Sequence, residues 1–548
     1  LNIKVSLNRK NLIMKITNTL TFMLLILFSQ YNVEIFSQNF QFQGNITCDT
    51  IWAADTLEIT GDVIIDSNIT LTVQAGTFVH ILGYYSIWSY GSIRAIGSAT
   101  DSIVFTHLDT IHHNDTSTIA GGWHGIRFLP RSSPDTTIFK FCRISNGKAI
   151  VPGSWWSYRV PENQGGNIYG NYFGSMVISN CEILNGRVKS DGGGVFLENG
   201  EYVYIEKCSF KLNHAYNTYG GGAFISKIEN VLIRNCLFYR NTCYNRDDIG
   251  EGGEGGGIAI QYSLGYDAYA KVQNNRFFNN KTGAGTIYEC YYNAVLMGNI
   301  ICNNYGSGIW NAHTFNHAVY TNNTVMNNVG SIWSGIITSS SDIKLINNII
   351  RNNYAYPNYP VEQIFYYNGA VPAPIVSYCN VEFGFEGEGN IDEEPLFTNP
   401  TPDIGTGYNA LNADWTLTDE SPCINTGTPD TTGLFLPDYD IEGNPRICGF
   451  RIDMGAYENQ VFAITEPVLQ ENIFTSVYPN PGTNYLNIKT KLKNSTFELI
   501  DFTGKTIIRK SLNSFTKQIN TCDIPSGMYF YRIHGNEKII ESGKWVKR

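Results

Sequence analysis

The feature that most constrains this chain is a short run that returns at a near-constant interval. An apolar residue leads, usually through Asn or Gly, to Cys or Asn and then to a second apolar residue, as in ISNCEI, IEKCSF, IRNCLF, VQNNRF, LMGNII, YTNNTV and LINNII. The Cys/Asn position falls at Cys181, Cys208, Cys236, Asn275, Asn299, Asn323 and Asn348, with spacings of 27, 28, 39, 24, 24 and 25. Between copies lies a second run that opens with glycine: GGNIY at 165, GGGVF at 192, GGGAF at 220, GGGIA at 255, GAGTI at 283, GSGIW at 306 and WSGII at 333. A period of this size means stacked supersecondary units. Each repeat holds at least two short β-runs split by turns, and no helical periodicity accompanies them.

A length of 548 residues exceeds what one compact core usually holds, so an elongated repeat is expected. The reading is an all-β chain: a right-handed parallel β-helix followed by a small C-terminal immunoglobulin-like β-sandwich. Coils stack about 4.8 Å apart, and inward apolar residues form ladders along the axis. An inward Asn at a bend bonds the Asn above and below, as stacked amides do in fibrils, so Asn275, Asn299, Asn323 and Asn348 read as corner residues rather than catalytic amides. Cys181, Cys208 and Cys236 occupy the same position and read as stacked thiols. Of the twelve cysteines, Cys423 and Cys448 form the expected disulfide.

Met14-Lys15 followed by the apolar run from Leu20 to Phe28 reads as a secretory signal, too short to span a bilayer, with cleavage after Ser37. Residues 1–13 read as translated upstream sequence. The expected organisation is 1–37 upstream residues and signal, 38–390 β-helix, 391–460 closing segment, 461–473 linker and 474–548 terminal domain. No later segment is apolar enough to cross a membrane. Net charge is -10, yet the first 38 residues carry four basic against one acidic and residues 471–548 carry twelve against six, which leaves the middle near -19. So acidic a body argues against nucleic acid and against anionic membrane surfaces.

Three resemblances follow. Phe210-x-x-Asn213 and Phe238-x-x-Asn241, with the Gly-Gly runs, resemble the FxxN and GGAI repeats of chlamydial polymorphic membrane proteins, which implies adhesin-like surfaces. The Trp123-x-Gly125-Ile126 spelling is similar to an early coil of pectin-lyase-like bacterial β-helix proteins, and DEEPLF, DWTLTDESPCINTG, DIEGNPR and DMGAYE resemble the segment that closes them. VYPNPGTNYLNI, FELIDFTGKTII, IPSGMYFYRI and SGKWVKR, in that order, resemble the type A sorting domain of type IX secretion cargo in Bacteroidota. That last resemblance implies contact with the type IX machinery, export across the outer membrane, loss of the tail, and a body attached to surface lipopolysaccharide or released. Lys544 and Lys547 fit the basic end of that pattern.

For chemistry the informative feature is coil length. From the Cys/Asn position to the next Gly-run the gap is 13 after Cys181, 9 after Asn299 and 12 after Asn323, but 24 from Cys142 to Gly166 and 21 from Cys236 to Gly257. The two insertions leave the same corner three coils apart, about 14 Å along the axis. They are expected to wall a groove, with Trp155, Trp156, Tyr158 and Arg159 on one side and Arg246, Asp247, Asp248, Glu251 and Glu254 on the other. Aromatic faces stack on sugar rings, and a carboxylate cluster takes sugar hydroxyls or Ca²⁺, with Asp247 and Asp248 the candidates for the ion. A polysaccharide or surface glycan is therefore the expected ligand, against the reading of both insertions as tolerated surface loops. Polygalacturonase and pectate lyase motifs are missing apart from Asp247-Asp248, which would be the catalytic candidates if the chain were a polysaccharide lyase or glycoside hydrolase. A purely structural surface protein is the third alternative. His107, His112, His113 and His124 with Asp115 lack zinc-site spacing and read as a polar turn.

Overall fold

The computed structural model describes residues 40–460 and 475–548, apart from 131–134, 152–159, 217, 244–252, 263–268, 292, 313–317, 331–334, 340–342, 356–358, 361, 367–372, 491–494, 502–504, 513–515 and 536–537. The signal segment and the 461–473 linker lie outside these residues. Two compact units divide at Phe462 and Ala463.

The first unit is a right-handed parallel β-helix in which forty strands share one hydrogen-bonded network, paired in parallel except where Tyr354–Ala355 meets Tyr359–Pro360. One interior line shows why the glycine-led runs recur: Ile126, Ile168, Val195, Ala223, Ile258, Ile287, Ile309, Ile336 and Ile364 are successive register partners, all buried. The residue before each Cys/Asn position adopts positive φ, from 53° at Asn180 and Lys207 to 64° at Gly298. This left-handed bend is where Asn and Gly are tolerated, which explains the Asn or Gly of the repeat.

The ladder runs as expected. Asn275, Asn299 and Asn323 each donate through Nδ2 to Oδ1 of the next asparagine at 2.9–3.0 Å, and the backbone N–H of each donates to that same oxygen. The thiols of Cys181, Cys208 and Cys236 hold the same place in earlier coils, accepting the N–H of the preceding cysteine at 3.3–3.4 Å. A second ladder, through Asn213, Asn241, Asn280, Asn304, Asn328 and Asn353, stands at the next corner and ends on Gln363 Oε1.

Residues 391–460 do more than end the coil. The last rung is covered first by its own turn, where Tyr378 N–H donates to Glu388 O and Cys379 N–H to Asn390 Oδ1. The chain then runs back along the outer face, placing Trp415, Leu417, Met454 and Tyr457 against outward-pointing Phe278, Ile300, Met326 and Ile349. Corner asparagines tie it down, with Asn274 Nδ2 donating to Tyr439 O and Asn322 Nδ2 to Asp453 O. The expected disulfide is not formed: Cys423 and Cys448 are free thiols. Cys423 is buried and its sulfur accepts Asn380 Nδ2, while the Cys448 backbone is held by Glu458 Oε1, so each residue is committed to a different local partner.

The second unit is a small β-sandwich with antiparallel sheets of three and four strands. Leu486, Ile488, Phe497, Leu499, Ile533 and Trp545 form its core. In the PNP turn, Asn480 accepts Val546 N–H and donates to Lys544 O, so one side chain closes the turn onto the last strand.

Candidate functional site

The flanks of the two insertions are in register. Lys148–Ala149 pairs with Arg187–Val188, that pair with His214–Ala215, and that with Thr242–Cys243. Ala149, Val188, Ala215 and Cys243 pack as one buried file, three rungs from end to end. Trp155, Trp156, Tyr158, Arg159, Arg246, Asp247, Asp248 and Glu251 lie outside the described residues; Glu254 is described.

Glu254 is half-buried where its backbone bridges Tyr219. Burial raises its pKa, against hydrogen bonds from the Tyr288 and Tyr219 side chains that lower it. Two rungs away, Asp191 is wholly buried and accepts Gln164 Nε2, Tyr219 N–H and the Thr218 hydroxyl. It is a fully engaged carboxylate that fastens neighbouring coils.

The strands that leave this corner carry an outward aromatic file. Tyr169, Phe196 and Phe224 are successive register partners stacked at 5.2 and 5.0 Å with interplanar angles of 8° and 13°, and Tyr288 and Trp310 continue it. All but Trp310 are buried. At the far end of the same strands, the corner positions Tyr172, Lys227, Tyr262 and Tyr291 take φ of 50–56°. Bulky side chains rarely accept that conformation. Tyr172, Tyr262 and Tyr291 are 59%, 42% and 36% exposed, and Tyr262 and Tyr291 stack at 5.4 Å, 15° from parallel. Sequence reading missed this tyrosine strip. Its signal was a Tyr recurring just after the glycine-led runs, as in NYF at 171, QYS at 261 and YYN at 291.

Two of the histidines, His113 and His124, are buried and bonded within the β-helix. His113 points its two ring nitrogens at Gly121 O and Asn185 O, at 2.6 and 2.8 Å, and burial pulls it down to about 4. His124 bonds the Ser86 hydroxyl at 2.8 Å, stacks on Tyr84, and is pulled by burial to about 2. Among the described residues no group of three or more His, Cys, Asp or Glu is placed to hold a metal. Because the folded His113 binds its proton more weakly than the unfolded side chain, its contribution to stability is complete above pH 6.5 and is lost as the pH falls from 6.5 towards 4. The advantage of the wild type over His113→Gln should therefore narrow by about 1.4 kcal/mol per pH unit across that window in urea titrations. A gap constant with pH would refute this.

Two family models match the chain: a right handed beta helix region over residues 109–350 and a secretion system C-terminal sorting domain over residues 476–548. No curated protein matches it. The sorting domain directs type IX secretion, which places the protein on the cell surface or in the extracellular space and makes the secretion machinery a partner. Among the described residues no helix is long and apolar enough to cross a membrane.

Proposed function

We propose, on the premise that this is an exported right-handed β-helix protein carrying a secretion sorting tail, that its body binds extracellular glycans along the face between the insertion corner and the tyrosine corner. The observation that supports this reading is the pair of exposed tyrosines, Tyr262 and Tyr291, stacked on each other and held in left-handed backbone. Such backbone costs stability that a corner asparagine or glycine would recover, and near-parallel aromatic rings offer sugar rings their faces. Trp155, Trp156, Tyr158 and Arg159, with Arg246, Asp247, Asp248 and Glu251, are proposed as further ligand contacts, with Ca²⁺ at Asp247 and Asp248 as the one candidate ion.

The test is a glycan array with the full chain, run alongside a reducing-sugar and unsaturated-product assay with and without Ca²⁺. Binding without turnover is expected. Tyr262→Asn and Tyr291→Asn retain a residue suited to the bend, so each should leave the thermal midpoint unchanged or raised while weakening binding about 3- to 10-fold, the worth of one aromatic contact. Products that disappear in Asp247→Ala or Asp248→Ala would instead make the protein a polysaccharide lyase or glycoside hydrolase. Silence in every assay would leave the structural-protein reading.

A further inference from the structure

The closing segment shows how this β-helix holds a second stretch of polypeptide on its outer face. Over the later coils, the corner amides of Asn274 and Asn322 donate through Nδ2 to carbonyls of that segment, Tyr439 O and Asp453 O. Its carboxylates meet outward arginines, Glu442 on Arg276 and Asp392 on Arg351, each at 2.6 Å. The corner thus holds main chain, and the strand beside it holds charge.

Along this corner the cover stops at Asn274, while the corner itself runs on through Asn235, Lys207 and Asn180. All four residues keep the same left-handed bend, with φ of 53–55°. The last three line an open groove of about 600 Å³, bounded by Ser98 and Ser102 at one end and by Arg276 at the other. Arg143 stands in it four rungs from Arg276 on a single file of register partners. At the strand spacing that is about 19 Å, room for about five or six residues of extended chain.

The contacts that the closing segment satisfies on its own coils stand unanswered here. Arg143 and Lys211 share one carboxylate, Glu182, at 3.3 and 3.1 Å. Lys207 is exposed and has no carboxylate at ion-pair distance among the described residues. The side-chain amides of Asn180 and Asn235 likewise have no hydrogen-bond partner among them. A polyanionic sugar would neutralise the cations, but the corner amides continue a row that on neighbouring coils holds peptide carbonyls, which favours polypeptide.

We infer that the groove along Asn235, Lys207 and Asn180 docks an extended acidic segment of a partner protein, prolonging the interface that residues 391–460 make with the later coils. Carboxylates of the partner fall to Lys207 and Arg143, and its carbonyls to the amides of Asn180 and Asn235. The strand Ser175–Ser179 separates this corner from the tyrosine corner, so the inference does not depend on the glycan reading.

The probe is a fluorescein-labelled peptide with the sequence of residues 437–444, PDYDIEGN, the stretch that meets Asn274 and Arg276 in the closing segment. Its analogue with Asn or Gln at the three acidic positions removes the charge and keeps the main chain. In fluorescence polarisation with the full chain, saturable binding is expected, at least about tenfold weaker for the analogue and weaker in salt. Lys207→Glu should weaken binding by a similar factor and leave the thermal midpoint unchanged, because this side chain makes no ion pair in the free protein. Asn235→Gly suits the same bend, as Gly298 does at this corner, and removes only the amide. It should weaken binding about 3- to 10-fold, the worth of one hydrogen bond. Absence of binding, equal binding of the analogue, or binding untouched by both substitutions would overturn the inference. So would an oligogalacturonate whose binding is lost in Lys207→Glu but unchanged in Asn235→Gly, which would make the groove a site for polyanionic sugar.

Discussion

Asn304→Ala is expected to cost the β-helix about 3–5 kcal/mol, as much as truncating a large core side chain. The side chain is wholly buried. Its Oδ1 accepts both the backbone N–H and Nδ2 of Asn280, and its Nδ2 donates to Phe277 O and to Asn328 Oδ1. Alanine strips partners from several groups that water cannot reach, and each unsatisfied group costs about 1–3 kcal/mol, relieved in part by local adjustment. Asn304→Asp is almost identical in shape and should be worse. It keeps the acceptor, loses both donors, and sets a carboxylate against the oxygens of Phe277, Cys302 and Asn328 in an apolar tube. By contrast Cys236→Asn should change stability by less than about 1.5 kcal/mol, because Asn275 fills the same place one coil later and uses the equivalent carbonyl, Ile233 O, where Cys236 uses Ile205 O. Urea unfolding of the full chain, following the body transition, separates these cases. If the Asp and Ala variants unfold at the wild-type midpoint, the ladder is not what holds the corners.

The second large effect is expected in the closing segment. Arg446 and Glu458 form an ion pair at 2.9 Å whose side chains are 2% and 0% exposed. Arg446 also donates to Ala456 O and Tyr457 O, and Glu458 accepts the N–H groups of Cys448 and Asp453, so the pair ties the DIEGNPR turn to the DMGAYE turn. Removing one member strands the other charge in the interior, at about 3–5 kcal/mol. Arg446→Met should therefore loosen residues 391–460 from the outer face, detected as early proteolytic cleavage within that segment. The loss should deepen with pH. Burial and the Glu458 charge push Asp453 up to about 7, above its ordinary value of 3.8. Its contribution is therefore complete below pH 3.8 and is lost as the pH rises to 7, and without Arg446 the two carboxylates that ionise there lose the positive charge that offsets them and keep only their backbone N–H donors. Cleavage rates equal to wild type at pH 8 would show that the segment is held without this ion pair, by its apolar contacts and the corner asparagines.

How much was legible follows from which interactions are periodic. The coil recurs, so its demands recur: an inward apolar residue, a bend that favours Asn or Gly, an inward amide or thiol. Each leaves a mark in the sequence at intervals of 24 to 28 residues, broken by the 39 from Cys142 to Cys181 and the 39 from Cys236 to Asn275, which contain the two insertions. The second asparagine ladder was only half seen, through Asn213 and Asn241 in the FxxN spelling. The sorting tail was legible because its turns are spelled by residues that the backbone requires, such as Asn480 closing onto the final strand.

What the sequence by itself determined is the repeat, the stacked corners and the tail, because local backbone preference and alternation act over a few residues and repeat. What only the tertiary structure decided is everything set by contact across coils. The buried guanidinium of Arg127, the tyrosines brought together at Tyr262 and Tyr291, the free thiol of Cys423, and the return of residues 391–460 along the outer face all depend on partners far away in sequence. Arg127 looks like any outward charge on an alternating strand. The coils on either side and the base of one insertion make it a buried cation.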